Sequence, residues 1–162
     1  MIGHSMALVL LTAALSAPES ADGREGVDYD VLEVSRLRCT IGNNRALGQH
    51  RAGYNGVFSM ASPDGAETPF VPLYAGLNLE NFFDAPPRHP ANAVLFEPRV
   101  QDMRFERVGE RAVELYQAPT PFYGIESWTR FELKEPYYID LSFRCIPRKD
   151  DLAGGFFGVF WA

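Results

Sequence analysis

The sequence predicts an all-β domain built as an antiparallel β-sandwich, and three observations lead to that fold class. Apolar and polar residues alternate with a period of two, most clearly over residues 126–133 and 137–146. The chain contains 12 Pro and 14 Gly, which interrupt these runs at short intervals as turns between strands do. After residue 17, no stretch of twelve residues carries the apolar spacing of an amphipathic helix.

Residues 1–17 (MIGHSMALVLLTAALSA) have the composition of a secretory signal peptide. They contain no Asp, Glu, Lys or Arg, and small residues follow the apolar core. A membrane anchor is the alternative, but about ten apolar residues are too few to span a hydrocarbon layer about 30 Å thick. We therefore expect a secreted or periplasmic protein with no transmembrane anchor after cleavage. A polar linker is expected over residues 18–28 and the β-sandwich domain over residues 29–162.

Two hairpins and several single strands are expected within the domain. The first hairpin joins residues 102–108 to 111–117 through Gly109-Glu110, because glycine at the first loop position suits a type II′ turn. The second joins residues 126–133 to 137–146 through Lys134-Glu135-Pro136. The other strands are expected at residues 29–41, 56–61, 70–74, 93–97 and 155–161, and a single helical turn at 77–83.

The end of the sequence, residues 154–162 (GGFFGVFWA), is almost wholly apolar. A strand that is apolar on both faces is normally covered on both sides. Two expectations fit this segment. Either the domain is incomplete at its C-terminus and forms the N-terminal part of a larger supersandwich, or the segment is a buried central strand of a complete small domain.

Composition and motifs narrow the classes of function. With 15 Lys+Arg against 21 Asp+Glu, the net charge of −6 argues against a nucleic-acid partner. The sequence has no phosphate-binding loop, HExxH, CxxC or GxSxG motif, and we expect no cofactor. Three His and two Cys make a metal site unexpected. In an exported protein Cys39 and Cys145 would be able to form one disulfide, and two separate buried thiols fit equally well.

The loop QHRAGYNG, residues 49–56, supplies the first group of candidate site residues. His50 is a candidate for acid–base catalysis, and Arg51, Tyr54 and Asn55 are candidates for ligand binding. An imidazole beside a guanidinium suits proton transfer or the binding of an anion or of sugar hydroxyls. The alternative is an ordinary solvated turn, since Asn-Gly is a strong turn signal.

The second group follows from strand geometry. Glu126, Trp128 and Arg130 are two residues apart, so their side chains share one face of a strand. A carboxylate, an indole and a guanidinium in a row suit a carbohydrate platform, and a salt bridge over a surface tryptophan is the alternative. Arg148 is a further candidate for ligand binding. Sugar cleavage by two carboxylates requires them about 5–10 Å apart. Glu80, Glu97 and Glu126 are therefore catalytic candidates together with His50.

These features favour an exported protein that binds or processes carbohydrate in a cleft lined by the His50 loop and the Trp128 strand. Whether it is an enzyme stays open. The alternative is a non-enzymatic cell-envelope or protein-interaction module, in which the aromatic residues are core and the ion pairs are surface bridges. A third class is a phosphate- or acid-binding module that uses five arginines, namely Arg51, Arg99, Arg130, Arg144 and Arg148.

Five sequence blocks, in this order, resemble a family of uncharacterised secreted bacterial all-β proteins: HRAGYNG, FVPLYAGLNLE, FEPR, ESWTRF and YIDLSFRCIPR. The resemblance implies export, and it implies a chain that continues beyond the FGVFWA segment; it implies no activity. A looser likeness is to galactose-mutarotase-like supersandwich domains, whose long antiparallel sheets hold sugars with His, Glu and Arg. That likeness carries no residue role.

Overall fold

The computed structural model of the 162-residue chain describes residues 27–65, 68–70, 73–84 and 94–162. About half of these residues lie in strands, which confirms the predicted all-β fold. The elements are, in chain order, β1 (Tyr29–Val34), β2 (Leu37–Gly42), β3 (Gly56–Ala61), β4 (Leu79–Phe83), α1 (Glu97–Val100), β5 (Arg104–Gly109), β6 (Ala112–Gln117), β7 (Ile125–Lys134), β8 (Tyr138–Pro147) and β9 (Gly158–Trp161). The predicted signal peptide and residues 18–26 of the predicted linker lie outside the described residues.

The strands form three antiparallel sheets in the described part of the chain, with the orders β1-β2-β3, β4-β9 and β5-β6-β7-β8. The three-stranded and four-stranded sheets pack their inner faces on one hydrophobic core, which confirms the predicted sandwich. Strand alternation points every second side chain into this core and the others away from it. The core includes Leu32, Cys39, Ile41 and Val57 from the first sheet and Val113, Leu115, Phe131 and Leu133 from the second.

The single strand predicted over residues 29–41 is wrong, because the structure places a hairpin there. β1 and β2 pair antiparallel, with Val34 opposite Leu37 and Ser35-Arg36 as the turn. Both Val34 and Leu37 are buried, so the buried positions change from even-numbered residues in β1 to odd-numbered residues in β2. That change, rather than a Gly or Pro, marks the reversal.

Three local predictions between the hairpins are also wrong. Residues 79–83 form strand β4 paired with β9, and not a helical turn. The strand expected at residues 93–97 is replaced by α1, which begins at Glu97 after Phe96 adopts a left-handed conformation with φ 59°. Of the strand expected at residues 70–74, the described residues Phe70, Leu73 and Tyr74 lie in bends and loops.

Both predicted hairpins are confirmed. β7 and β8 pair along ten residues each, from Ile125 opposite Pro147 to Lys134 opposite Tyr138. The β5–β6 hairpin reverses one residue later than predicted: Gly109 is paired with Ala112, and Glu110 stands at the turn. Gly109 therefore occupies the end of the strand and not the first loop position.

The two cysteines are free thiols, so the unpaired alternative describes this structure. Cys39 on β2 is fully buried, and burial raises the pKa of its thiol to about 12. Burial also raises the pKa of the half-buried Cys145 thiol. In the apolar C-terminal segment, only residues 158–161 form a strand, and Phe160 is 53% exposed although its neighbours pack on the core.

Candidate functional site

The outer face of the four-stranded sheet is the side that points away from the core. It carries the candidate site residues that were predicted on β7. Along β7 the buried and partly exposed residues alternate strictly, so Glu126, Trp128 and Arg130 project from the same side, as predicted. On β8 the exposed residues of the same side include Arg144. The charged or aromatic residues of this outer face are Arg104, Glu106, Glu114, Tyr116, Glu126, Trp128, Arg130, Glu132, Lys134, Tyr138, Asp140 and Arg144, together with Arg148, which follows β8 and contacts Glu126.

An aromatic row crosses all four strands of the outer face. We use this name for Arg104, Tyr116, Trp128 and Arg144, which are direct neighbours in the register of the sheet. The Arg104 Cζ lies 4.9 Å from the Tyr116 ring centroid, and the Tyr116 and Trp128 centroids are 5.4 Å apart. The Arg144 Cζ lies 3.9 Å from the Trp128 centroid. Each ring is therefore held between two neighbours, and the stacking fixes the position of both guanidinium groups.

Glu126 lies beside this row and is already engaged by two hydrogen-bond donors. The Tyr116 hydroxyl donates to Glu126 Oε1 at 2.9 Å, and Arg148 Nε donates to Oε2 at 2.8 Å. The Arg148 hydrogen bond, helped by that of Tyr116, holds the pKa of Glu126 below its usual value, although partial desolvation opposes the shift. The same contact raises the pKa of the Tyr116 hydroxyl. Glu126 is consequently a hydrogen-bond acceptor that stays ionised, and not a proton donor near neutral pH.

The outer face is polarised along its strands. At the end near the aromatic row, three arginines (Arg104, Arg144 and Arg148) face one glutamate, a net charge of +2. At the other end Arg130 and Lys134 lie among four carboxylates, a net charge of −2; the carboxylates are Glu106, Glu114, Glu132 and Asp140. Arg130 pairs with Glu132 at 3.1 Å and Lys134 with Asp140. The ion pairs at this end neutralise its cations.

His50 lines an open pocket of about 380 Å³ on the outer side of the three-stranded sheet. Its Nδ1 is 3.0 Å from the backbone oxygen of Tyr74. Because a carbonyl only accepts, Nδ1 carries the proton, and Nε2 of the neutral ring is an acceptor. The His50 ring packs 4.7 Å from Phe58. The complete lining is Tyr29, Thr40, Leu47, Gly48, Gln49, His50, Phe58 and Ser59.

The cleft predicted between the His50 loop and the Trp128 strand does not form. Thr40 in the His50 pocket lies between the core residues Cys39 and Ile41 on β2, so its side chain points away from the core. Trp128 points away from the same core on the other sheet. The hydrophobic core therefore separates the two regions. Arg51 follows His50 on the exposed surface of this loop and is likewise separate from Trp128.

Two further candidates, Tyr54 and Glu80, belong to an Arg99 cluster, which we define as Tyr54, Glu80, Phe96 and Arg99. The Arg99 Cζ lies 4.1 Å from the Tyr54 ring centroid and 4.9 Å from that of Phe96. Arg99 Nη1 donates to Glu80 at 3.1 Å, and its Nε donates to the Gly53 carbonyl at 2.8 Å. The side chains of Arg99 and Glu80 are only 16% and 17% exposed. The cluster ties the loop before β3 to α1 and β4.

Asn55 and Glu97 are buried structural anchors. Asn55 is fully buried; its amide donates to the Leu79 carbonyl and its Oδ1 accepts from the Leu79 N–H, both at 3.0 Å. Gly56, the next residue, has a φ of 95° and begins β3, so the Asn-Gly pair makes a strand entry rather than a hairpin turn. Glu97 is 1% exposed and accepts from the backbone N–H groups of Phe122 and Tyr123. Neither side chain reaches a surface where a ligand would bind.

Sequence reasoning missed Tyr116 and Arg104 as site residues. Both lie on the predicted β5–β6 hairpin, and the register of that hairpin with β7 places Tyr116 directly opposite Trp128. A sheet order β5-β6-β7-β8 built from the two predicted hairpins would have found them.

The surroundings add little further chemistry. Within residues 27–65, 68–70, 73–84 and 94–162, no three His, Cys, Asp or Glu side chains are grouped so as to hold a metal ion. No helix in these same ranges has the length and apolar composition needed to cross a membrane.

No family model, curated protein or solved structure matches the chain. The outer face with its aromatic row is therefore assigned as the candidate site on geometry alone.

Proposed function

We propose that the outer face of the four-stranded sheet binds carbohydrate and does not cleave it. The observation that carries this proposal is the aromatic row, with Glu126 held beside it by Tyr116 and Arg148. The row crosses three strand spacings, about 14 Å at about 4.8 Å each, which is a length suited to an oligosaccharide rather than to a single sugar. Export, which rests on residues 1–17, is part of the same proposal.

The chemistry of the row matches both surfaces of a sugar. Aromatic edges and rings pack against the apolar C–H groups of a pyranose, while the charged groups hydrogen-bond to its hydroxyls. Arg144 offers planar N–H donors, and Glu126, whose side chain is 12% exposed, has acceptor sites left beside its bonds to Tyr116 and Arg148. The indole N–H of Trp128 donates to no group in the described part of the chain. Donors and acceptors that are already held in place lose little conformational entropy when a ligand binds.

Cleavage is disfavoured by the state of the carboxylates. A glycosidase needs one carboxylic acid with a raised pKa and a second carboxylate across the bond. Glu126 has a lowered pKa because Arg148 donates to it. Glu80 is paired with Arg99 and Glu97 is buried, and neither lies on the outer face. The three predicted catalytic carboxylates are thus not brought together.

A non-enzymatic protein-interaction module is the second candidate, and a different region favours it. Phe83, Phe156 and Phe160 are 40%, 47% and 53% exposed around the β4–β9 sheet. The rings of Phe83 and Phe156 are 6.5 Å apart, so they form one apolar patch. Such a patch suits a protein surface better than a sugar, because it offers no hydrogen-bonding groups.

A glycan array followed by isothermal titration of the strongest hit tests the proposal. Trp128→Ala should weaken binding tenfold or more, about 1.4 kcal/mol, while the melting temperature stays near that of the parent protein. Tyr138→Ala is the matched control, because Tyr138 is an exposed aromatic residue at the far end of the same face. It should bind like the parent protein. The proposal is wrong if no glycan binds, or if the two variants bind equally well.

A further inference from the structure

The four arginines of the outer face differ in how they are paired. Arg148 is bound to Glu126, and Arg130 is bound to Glu132. Arg104 has only a long ion pair, 3.7 Å, with Glu106. The Arg144 side chain makes no hydrogen bond and no ion pair within the described part of the chain, and its one specific contact is its stacking on Trp128. Arg144 is also exposed, so its donors are accessible to solvent.

Arg144 is nevertheless held in place. Its Cζ is 3.9 Å from the Trp128 centroid, and Trp128 is itself packed against Tyr116. A guanidinium is planar, stacking on an aromatic face favours one orientation of that plane, and its N–H groups match two oxygens of a carboxylate or a sulfate. Glu126, the carboxylate beside the row, is hydrogen-bonded to Tyr116 and Arg148 and makes no ion pair with Arg144.

The local charge agrees with this geometry. The end of the face that contains the aromatic row has three arginines against one glutamate, whereas the whole chain has a net charge of −6. An anion is therefore attracted to this end and repelled by the other end, where four carboxylates lie. The same charge difference favours placing the acidic group of a ligand at the end with the aromatic row.

We propose that the carbohydrate bound here is acidic, and that its carboxylate or sulfate group is bound by the planar guanidinium of Arg144 on Trp128. This inference rests on the proposed function, since it names the substrate class of the same face. The sugar ring next to the acidic group lies along the aromatic row, and Glu126 accepts from its hydroxyls. Both anionic groups present a pair of oxygens to a guanidinium, so separate ligands are needed to distinguish them.

The test compares four soluble polymers by isothermal titration: polygalacturonate, dextran sulfate, neutral dextran and polyglutamate. The full chain should bind polygalacturonate or dextran sulfate at least tenfold more tightly than dextran, and whichever is tighter identifies the anionic group. Added salt should weaken this binding, because exposed charges are screened. Arg144→Gln should remove the preference, and Arg144→Lys should recover only part of it, because an ammonium lacks the planar pair of donors.

Arg130→Gln is the matched control, because Arg130 lies on the same face but is paired with Glu132. It should keep the preference for the acidic polymer. The inference is overturned if dextran binds as tightly as the acidic polysaccharides, or if Arg144→Gln and Arg130→Gln behave alike. It is also overturned if polyglutamate binds equally well, since the face would then recognise charge alone. If no carbohydrate binds at all, the proposed function itself fails, which is a different result from the first three.

Discussion

The Arg99 cluster and the aromatic row are made from the same parts and differ in the exposure of the arginine, whereas their glutamates, Glu80 and Glu126, are both largely buried, at 17% and 12% exposed. Each has an arginine stacked on an aromatic ring, with a glutamate nearby. In the cluster, Arg99 is 16% exposed and bound to both Glu80 and the Gly53 carbonyl. In the row, Arg144 is exposed and has no polar partner within the described residues.

This difference separates a structural arginine from one that is available to a ligand. A buried guanidinium must have its donors satisfied by the protein, because an unpaired buried charge is very costly. An exposed one is satisfied by water, which a ligand can replace. Stacking on an aromatic ring is common to both and so does not indicate function by itself. The donors of Arg144, which have no partner within the described residues, are available to a ligand.

The largest expected effect is on stability, and it concerns Arg99. Arg99→Ala should lower the free energy of unfolding by about 3 kcal/mol, because it leaves the carboxylate of Glu80 poorly hydrated and without its partner. Arg144→Ala should cost only about 0.5–1 kcal/mol, the value of an exposed cation–π contact. Urea denaturation of both variants measures the two changes. Equal losses would show that the two arginines do not differ as described.

The next effect concerns Glu126 and pH. The pKa of Glu126 lies below the ordinary value of 4.5 because Arg148 and Tyr116 donate to its carboxylate. A carboxylate with a lowered folded pKa stabilises the protein above the unfolded pKa, and this contribution disappears as the pH falls through the folded pKa. The difference in unfolding free energy between the parent protein and Glu126→Gln should therefore be constant above about pH 5 and shrink below it.

Denaturant midpoints between pH 7 and pH 3 measure this difference. Glu106→Gln provides the control, because Glu106 is an exposed residue of the same face with only a long ion pair to Arg104. Above about pH 5 the Glu126→Gln difference should be the larger of the two, because Tyr116 and Arg148 both hydrogen-bond to the Glu126 carboxylate. A Glu126→Gln difference that stays constant down to pH 3 would show that the carboxylate is not held by Arg148 in solution.

The smallest effect concerns the thiols. Burial raises the pKa of Cys39 to about 12, so its thiol should react with a disulfide reagent at pH 8 only after unfolding. In urea without reductant, two thiols per chain should be titrated, because both cysteines are free in the structure. A count of zero would show that Cys39 and Cys145 are paired in the isolated protein.

Much of the fold follows from local patterns, and the exceptions depend on distant contacts. β7 and β8 alternate strictly over ten residues each, so their pairing and faces are predictable from the sequence. The short helix α1 is not, because the Asn44 side-chain amide, more than fifty residues away, donates to the carbonyls of Pro98, Arg99 and Gln101 at its end. Such a contact has no signal within residues 97–100.

The candidate site likewise has one part that the sequence predicts and another part that depends on packing. The spacing of Glu126, Trp128 and Arg130 predicts that they share a face, and they do. Glu97 and Glu126 look alike in sequence, since each stands near an arginine and an aromatic residue. Only packing distinguishes them: Glu97 is 1% exposed and bound to backbone N–H groups, whereas Glu126 lies on the outer face.

The most direct test of the outer face as a binding site uses the two tryptophans of the chain, Trp128 and Trp161. Trp161 packs on Phe143 and the core, so it serves as an internal control. In a ¹⁵N-labelled sample titrated with an acidic oligosaccharide, the indole N–H resonance of Trp128 should shift with ligand concentration while that of Trp161 stays in place. If the ligand binds and the Trp128 resonance does not move, the binding site lies elsewhere on the protein.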